Sequence, residues 1–192
     1  MTFKAIIGLG NHGNEYKNTR HNIGFEIIDA FAENFSENNW ENNKKFGAFL
    51  KKIQLNNSQI ILIKSTGFMN LSGRPLAKVC AFYKILPQEI VVICDDFTID
   101  LAHVKLTERS GTAGHNGVAN ILECIGEGFV RFRVGIGQKP IKQMPLSDYV
   151  LSKFSQDEID TIVKNKENIL KNLNLLLDKG VFAAMNVINR KI

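Results

Sequence analysis

Among 192 residues there are only three cysteines, Cys80, Cys94 and Cys124, far apart and odd in number. No CxxC and no Cys/His pair has zinc-ligand spacing, which leaves buried reduced thiols as the expectation. No segment reaches the roughly 18 uninterrupted apolar residues of a membrane span. The N-terminal stretch MTFKAIIGLGN has no long apolar h-region and no small-residue cleavage site, so the expected compartment is the cytoplasm. Internal repeats and low-complexity linkers are missing. So are a GxxxxGK[ST] phosphate loop and a GxSxG nucleophile elbow.

What is present is an ordinary globular composition, 44% hydrophobic and 22% charged, long enough for one domain with a sizeable core. The net charge of +5 permits an anionic partner such as nucleic acid without requiring one. Apolar runs alternate with helical patterns. Residues 3–9, EIVVICDD and RFRVGIG read as strands, HVKLT as a short one. GAFLKKIQL and QIILIKS flank the turn signal Asn56-Asn57-Ser58 and read as a hairpin. GFEIIDAFAENF, GRPLAKVCAFYK and GVANILECIG read as helices, and the chain from Asp148 onward as helical, with Gly180 as a stop. This order predicts a single α/β domain over residues 1–192, with a mixed, largely parallel sheet and a helical C-terminus.

Gly8, Gly10 and Gly13 fall on the G-x-G-x-x-G spacing of a dinucleotide-binding loop. The context fails, however. No helix opens directly on the loop, because NEYKNTRHN is polar, and no second strand ends in an acid about 20 residues on. A different pattern is more informative. Polar residues recur just beyond apolar strands, where ligands bind in an open α/β sheet. Separate segments deliver His21, Asn70, Asp95, His115 and Asn116 to one edge. A histidine base, a carboxylate that fixes its tautomer and amides that hold an acyl oxygen form a set suited to water-mediated acyl cleavage. Each residue also has a bland reading. Asn22 and Asn70 are possible helix caps, Asp95-Asp96 ordinary loop carboxylates, and Gly111, Gly114 and Gly117 a flexible connection. Their joint recurrence at strand ends favours a site.

The segments GLGNHGNEYKNTRHNIGF, TGFMNLSG, CDDF, GTAGHNG, RFRVGIG and DYVLSKFS, in this order and spacing, resemble bacterial-type peptidyl-tRNA hydrolases along nearly the whole chain. The resemblance implies a monomeric αβα enzyme that hydrolyses the ester between a peptide and the terminal ribose of tRNA. It implies no metal, no organic cofactor and no obligate protein partner. By similarity His21 is the general base and Asp95 holds its tautomer. Asn70 and Asn116 position substrate and water, and Asn11 contacts the peptide. Tyr16 and Phe68 form the crevice, Arg133 meets the tRNA 5′-phosphate, and His115 has a supporting role. Three positions depart from the family's pattern. His12 stands where it has proline, Thr107 where it has a basic partner for Arg133 (with Lys105 and Arg109 as candidate replacements), and FTIDLAH replaces LDLPxG. A non-catalytic RNA-binding relative and a nucleotide-dependent oxidoreductase are the competing functions.

Overall fold

A computed structural model describes residues 2–35, 39–108, 111–139 and 143–190. Seven strands form one sheet: β1 (Ala5–Gly8), β2 (Glu41–Asn43), β3 (Ala48–Leu55), β4 (Ser58–Ser65), β5 (Ile90–Asp96), β6 (Val104–Glu108) and β7 (Val130–Gly135), in the spatial order β2-β3-β4-β1-β5-β7-β6. The pairings of β1 with β4 and β5, and of β5 with β7, are parallel, whereas β3 and β6 run against their neighbours. The predicted hairpin is β3–β4, turning at Asn56 and Asn57, which both take positive φ. The polar strand β2 was not expected from its sequence, ENN, because it lacks any apolar alternation.

The strand side chains alternate between two cores. Ile6, Leu62, Val91, Ile93 and Phe132 face α1 (Ile23–Ala32) and the long α5 (Gln156–Ile188). Ile7, Ile61, Ile63, Val92 and Cys94 face α2 (Gly73–Tyr83) and α3 (Asn116–Ile125). The central strands are buried on both faces, which explains their unbroken apolar runs. Burial also pushes the Cys94 thiol well above its usual range, as expected for an inert, reduced cysteine. A short α4 (Leu146–Leu151) precedes α5. Gly180 does not end α5 as its sequence suggests. It takes φ 73 and ψ 175, and the chain resumes helical geometry beyond this kink.

The opening glycines serve packing. A Cβ on Gly8 would collide with the Gly24 carbonyl, and one on Gly10 would lie 2.6 Å from the Phe25 ring. They let α1 press onto β1 and leave no phosphate cradle.

Candidate active site

The C-terminal ends of β1, β4 and β5 meet the N-terminus of α3 at one edge of the sheet, and the predicted polar residues gather there. His21 lies in a tight turn, Arg20–Asn22, just before α1, and both His21 and Asp95 are buried. His21 Nδ1 is 2.7 Å from Asp95 Oδ1. His115 Nε2 approaches the same oxygen at 3.0 Å, and the two imidazole rings lie 4.8 Å apart.

The tautomers follow from the partners. His115 is the N-cap of α3, and its Nδ1 accepts the backbone N–H groups of Gly117 and Val118 at 3.1 and 3.3 Å. That nitrogen must carry a lone pair, so the His115 proton sits on Nε2 and is donated to Asp95. The acidic partner likewise draws the His21 proton to Nδ1, leaving Nε2 as a free acceptor. Burial alone would raise the Asp95 carboxyl, but the imidazoles of His115 and His21 outweigh it and hold the carboxyl well below the usual range. His21, Asp95 and His115 have ligand atoms within 4.8 Å of one another, close enough for a metal ion. The donor set argues against one. Both inward imidazole nitrogens already carry protons, and metallating His115 at Nε2 would move its proton onto the nitrogen that caps α3.

Asn11 is fixed by three contacts. Its backbone N–H donates to Asn22 Oδ1 at 2.8 Å, its carbonyl accepts from Asn22 Nδ2 at 2.9 Å, and its Oδ1 accepts the Met69 N–H at 2.7 Å. The side-chain Nδ2 remains as a donor. Asn22 therefore positions Asn11, and it makes no side-chain cap of α1. Asn70, in the turn Met69–Leu71, does not cap α2 either, since the N-cap position belongs to Ser72. Asn11, Tyr16, His21, Phe68, Asn70 and Asn116 all line one cavity of about 240 Å³, with the Tyr16 and Phe68 rings edge to face at 6.3 Å.

Arg133 faces inward. Its Nε and Nη2 reach Asp96 Oδ2 at 2.7 and 2.6 Å, and it lines a second cavity that also reaches His21. Lys105 is its register partner on β6, and Thr107 is opposite Arg131. Lys105 therefore stands beside Arg133, while Arg109 lies outside the described residues. His12 leaves the turn intact. Its N–H donates to the Gly67 carbonyl at 3.3 Å, a bond that proline cannot make, and its ring lies 5.5 Å from Phe49.

Sequence reasoning missed Arg20. Its guanidinium bonds Glu158 at 3.0 Å and lies over the rings of Tyr149 and Phe154, at 4.7 and 4.9 Å. Its N–H donates to the Ser152 carbonyl, so the His21 turn is clasped to α4 and α5. The only signal was an arginine beside a candidate base, and its partner is distant in sequence.

The family model described as peptidyl-tRNA hydrolase matches residues 5–192. The chain is 38% identical over 188 residues to a peptidyl-tRNA hydrolase of Lachnoclostridium phytofermentans, covering 97% of this chain and 96% of the relative. It is 40% identical over 185 residues to one of Clostridium botulinum, covering 96% and 95%. The crystal structure of peptidyl-tRNA hydrolase from Acinetobacter baumannii superposes with a TM-score of 0.89 at 32% identity, over 97% of this chain and 94% of that one. Among the described residues, no helix is long and apolar enough to cross a membrane.

Proposed function

The chain belongs to the peptidyl-tRNA hydrolase family and hydrolyses the ester of peptidyl-tRNA, and from that premise we propose that His21 is the base that activates water. The carrying observation is the 2.7 Å contact between His21 Nδ1 and Asp95 Oδ1, which leaves Nε2 free. In this reading Nε2 removes a proton from water as its oxygen attacks the ester carbonyl. The acyl–oxygen bond then breaks, and the ribose oxygen of the tRNA takes the proton back from His21. The Asn11 Nδ2 donor meets a carbonyl of the peptide. The amides of Asn70 and Asn116 hold the acyl oxygen and the water, and Tyr16 and Phe68 flank the peptide. A substrate made by translation supports action in the cytoplasm.

The direct test is incubation with N-acetyl-aminoacyl-tRNA while free tRNA is followed. Time-dependent release is expected. Tight binding without release would instead favour an RNA-binding role.

A pH dependence follows as well. A protonated imidazole cannot accept, so kcat is expected to fall at acid pH. Asp95 stays ionised there, because its carboxyl is held below the usual range. His115 has its lone-pair nitrogen covered by two backbone N–H groups. The loss is measurable from log kcat against pH, and a kcat that does not fall at acid pH would remove His21 from the role of base. The depressed carboxyl also has a stability sign. Its contribution is present above the ordinary unfolded value of about 4 and is lost as pH falls below it.

A further inference from the structure

Arg20 precedes the proposed base in sequence, and the mechanism makes no use of it. It is 8% exposed, which is unusual for an arginine. Glu158 meets it through one oxygen, and that oxygen also accepts the Ser155 N–H at 2.8 Å. The Nε and Nη1 nitrogens are buried with no hydrogen-bond partner among the described residues. Burying a charge with so few hydrogen bonds costs free energy, and an apolar side chain of similar volume often serves stability as well or better. Attachment does not require the side chain either. The Arg20 N–H donates to the Ser152 carbonyl at 3.0 Å and the Phe154 N–H to the Asn18 carbonyl at 3.1 Å. These backbone bonds already join the turn to the segment that follows α4.

What the guanidinium adds is orientation. It lies over the ring of Tyr149 at 4.7 Å and over that of Phe154 at 4.9 Å. Tyr149 belongs to α4, and its hydroxyl donates to the Ile136 carbonyl, just beyond β7, at 2.9 Å. The same helix forms a wall of the site, since Ser147 and Val150 line both cavities that reach His21. A planar cation over two rings fixes their placement against the turn, as a flexible aliphatic chain would not. We propose that Arg20 is a positioning residue for the hydrolysis, holding α4 and the His21 turn in the relation that aims Nε2 at the ester. The inference rests on the reading of His21 as the base. Arg20 itself touches no substrate. Its effect passes through the placement of His21, and a small misplacement of a reacting group is costly.

The test is Arg20→Met, which keeps an unbranched chain between the rings and removes the planar cation. Its kcat for N-acetyl-aminoacyl-tRNA should fall about 10- to 100-fold, the scale of a small misplacement, with KM little changed. The rate is taken at a temperature where circular dichroism shows the variant folded. Arg20→Lys keeps the charge without the plane and should recover part of the loss. Should Arg20→Met fold poorly, Phe154→Leu takes one ring from the guanidinium and should lower kcat in the same sense. A merely structural arginine would lower Tm and leave the kcat of the folded variant at the wild-type value, and that result overturns the proposal. So does a raised KM with unchanged kcat, which would place the effect on binding. His21→Ala, assayed alongside, separates the two readings. If it keeps turnover, the base reading falls and this inference with it; if it is inactive while Arg20→Met matches wild type, only the positioning role falls.

Discussion

Replacing His21 with alanine is expected to lower kcat for N-acetyl-aminoacyl-tRNA by roughly 10²–10⁴, the range that a positioned general base contributes. The change removes the only imidazole nitrogen in the His21–Asp95–His115 cluster that is left as an acceptor. His115 cannot take over, because its Nδ1 is engaged by Gly117 and Val118 and its Nε2 carries the proton given to Asp95. Substrate affinity is expected to change far less, since the affinity of proteins for nucleic acid comes largely from phosphate contacts, which this substitution does not alter. Single-turnover rates beside binding measurements separate the two effects. A variant that keeps near wild-type turnover would remove His21 from the role of base. Asp95→Asn should approach the same loss by another route. Its amide keeps an oxygen for the two donating imidazoles but removes the negative charge that would stabilise the imidazolium formed as water loses its proton.

The second large effect is on stability. Gly24→Ala places a methyl group 2.5 Å from the Leu9 carbonyl oxygen and 2.6 Å from the Ile93 carbonyl oxygen. The Leu9 nitrogen lies 2.6 Å away as well, and its N–H donates to the Ile93 carbonyl at 2.9 Å, so the clash falls on hydrogen-bonded backbone. No rotamer change relieves the clash, so α1 must lift or the sheet must open. Alanine's better helix propensity returns at most about 1 kcal/mol. Overpacking costs about 1–3 kcal/mol and more where backbone must move, so a net loss near 2–3 kcal/mol is expected. For a chain of this size that lowers Tm by roughly 4–12 °C, readable by calorimetry or circular dichroism. Activity should fall as well at temperatures where the variant is still folded. The turn bearing His21 leads directly into α1, and it moves with the helix.

Much of the site was legible because its chemistry sits on short polar segments between apolar strands. Asn11, His21, Asn70, Asp95 and Asn116 stood out as polar residues following runs such as TFKAII and EIVVIC, and the structure brings them to one edge. The mixed, largely parallel sheet was legible for a similar reason, since doubly buried strands are written as unbroken apolar runs. Other features depend on contacts that no local pattern encodes. The double use of His115, as cap of α3 and donor to Asp95, needs both partners in view. The inward turn of Arg133 is set by Asp96 on a neighbouring strand. Strand β2 is paired through its backbone, so its side chains carry no signal. The positive φ at Gly180 was consistent with a stop, and only packing beyond it shows that the helix resumes.

The clasp between Arg20 and Glu158 joins residues 138 positions apart, and the bonds from Asn11 to Met69 and from His21 to Asp95 span 58 and 74. Long separations of this kind form late, after loop closure has been compensated by other contacts. The N-terminal half can pair its strands while the ribosome is still adding residues, but the turn carrying His21 gains its clasp to α4 and α5 only when those helices arrive. Turnover is thus expected late in synthesis, and in refolding its recovery should trail the recovery of helical signal.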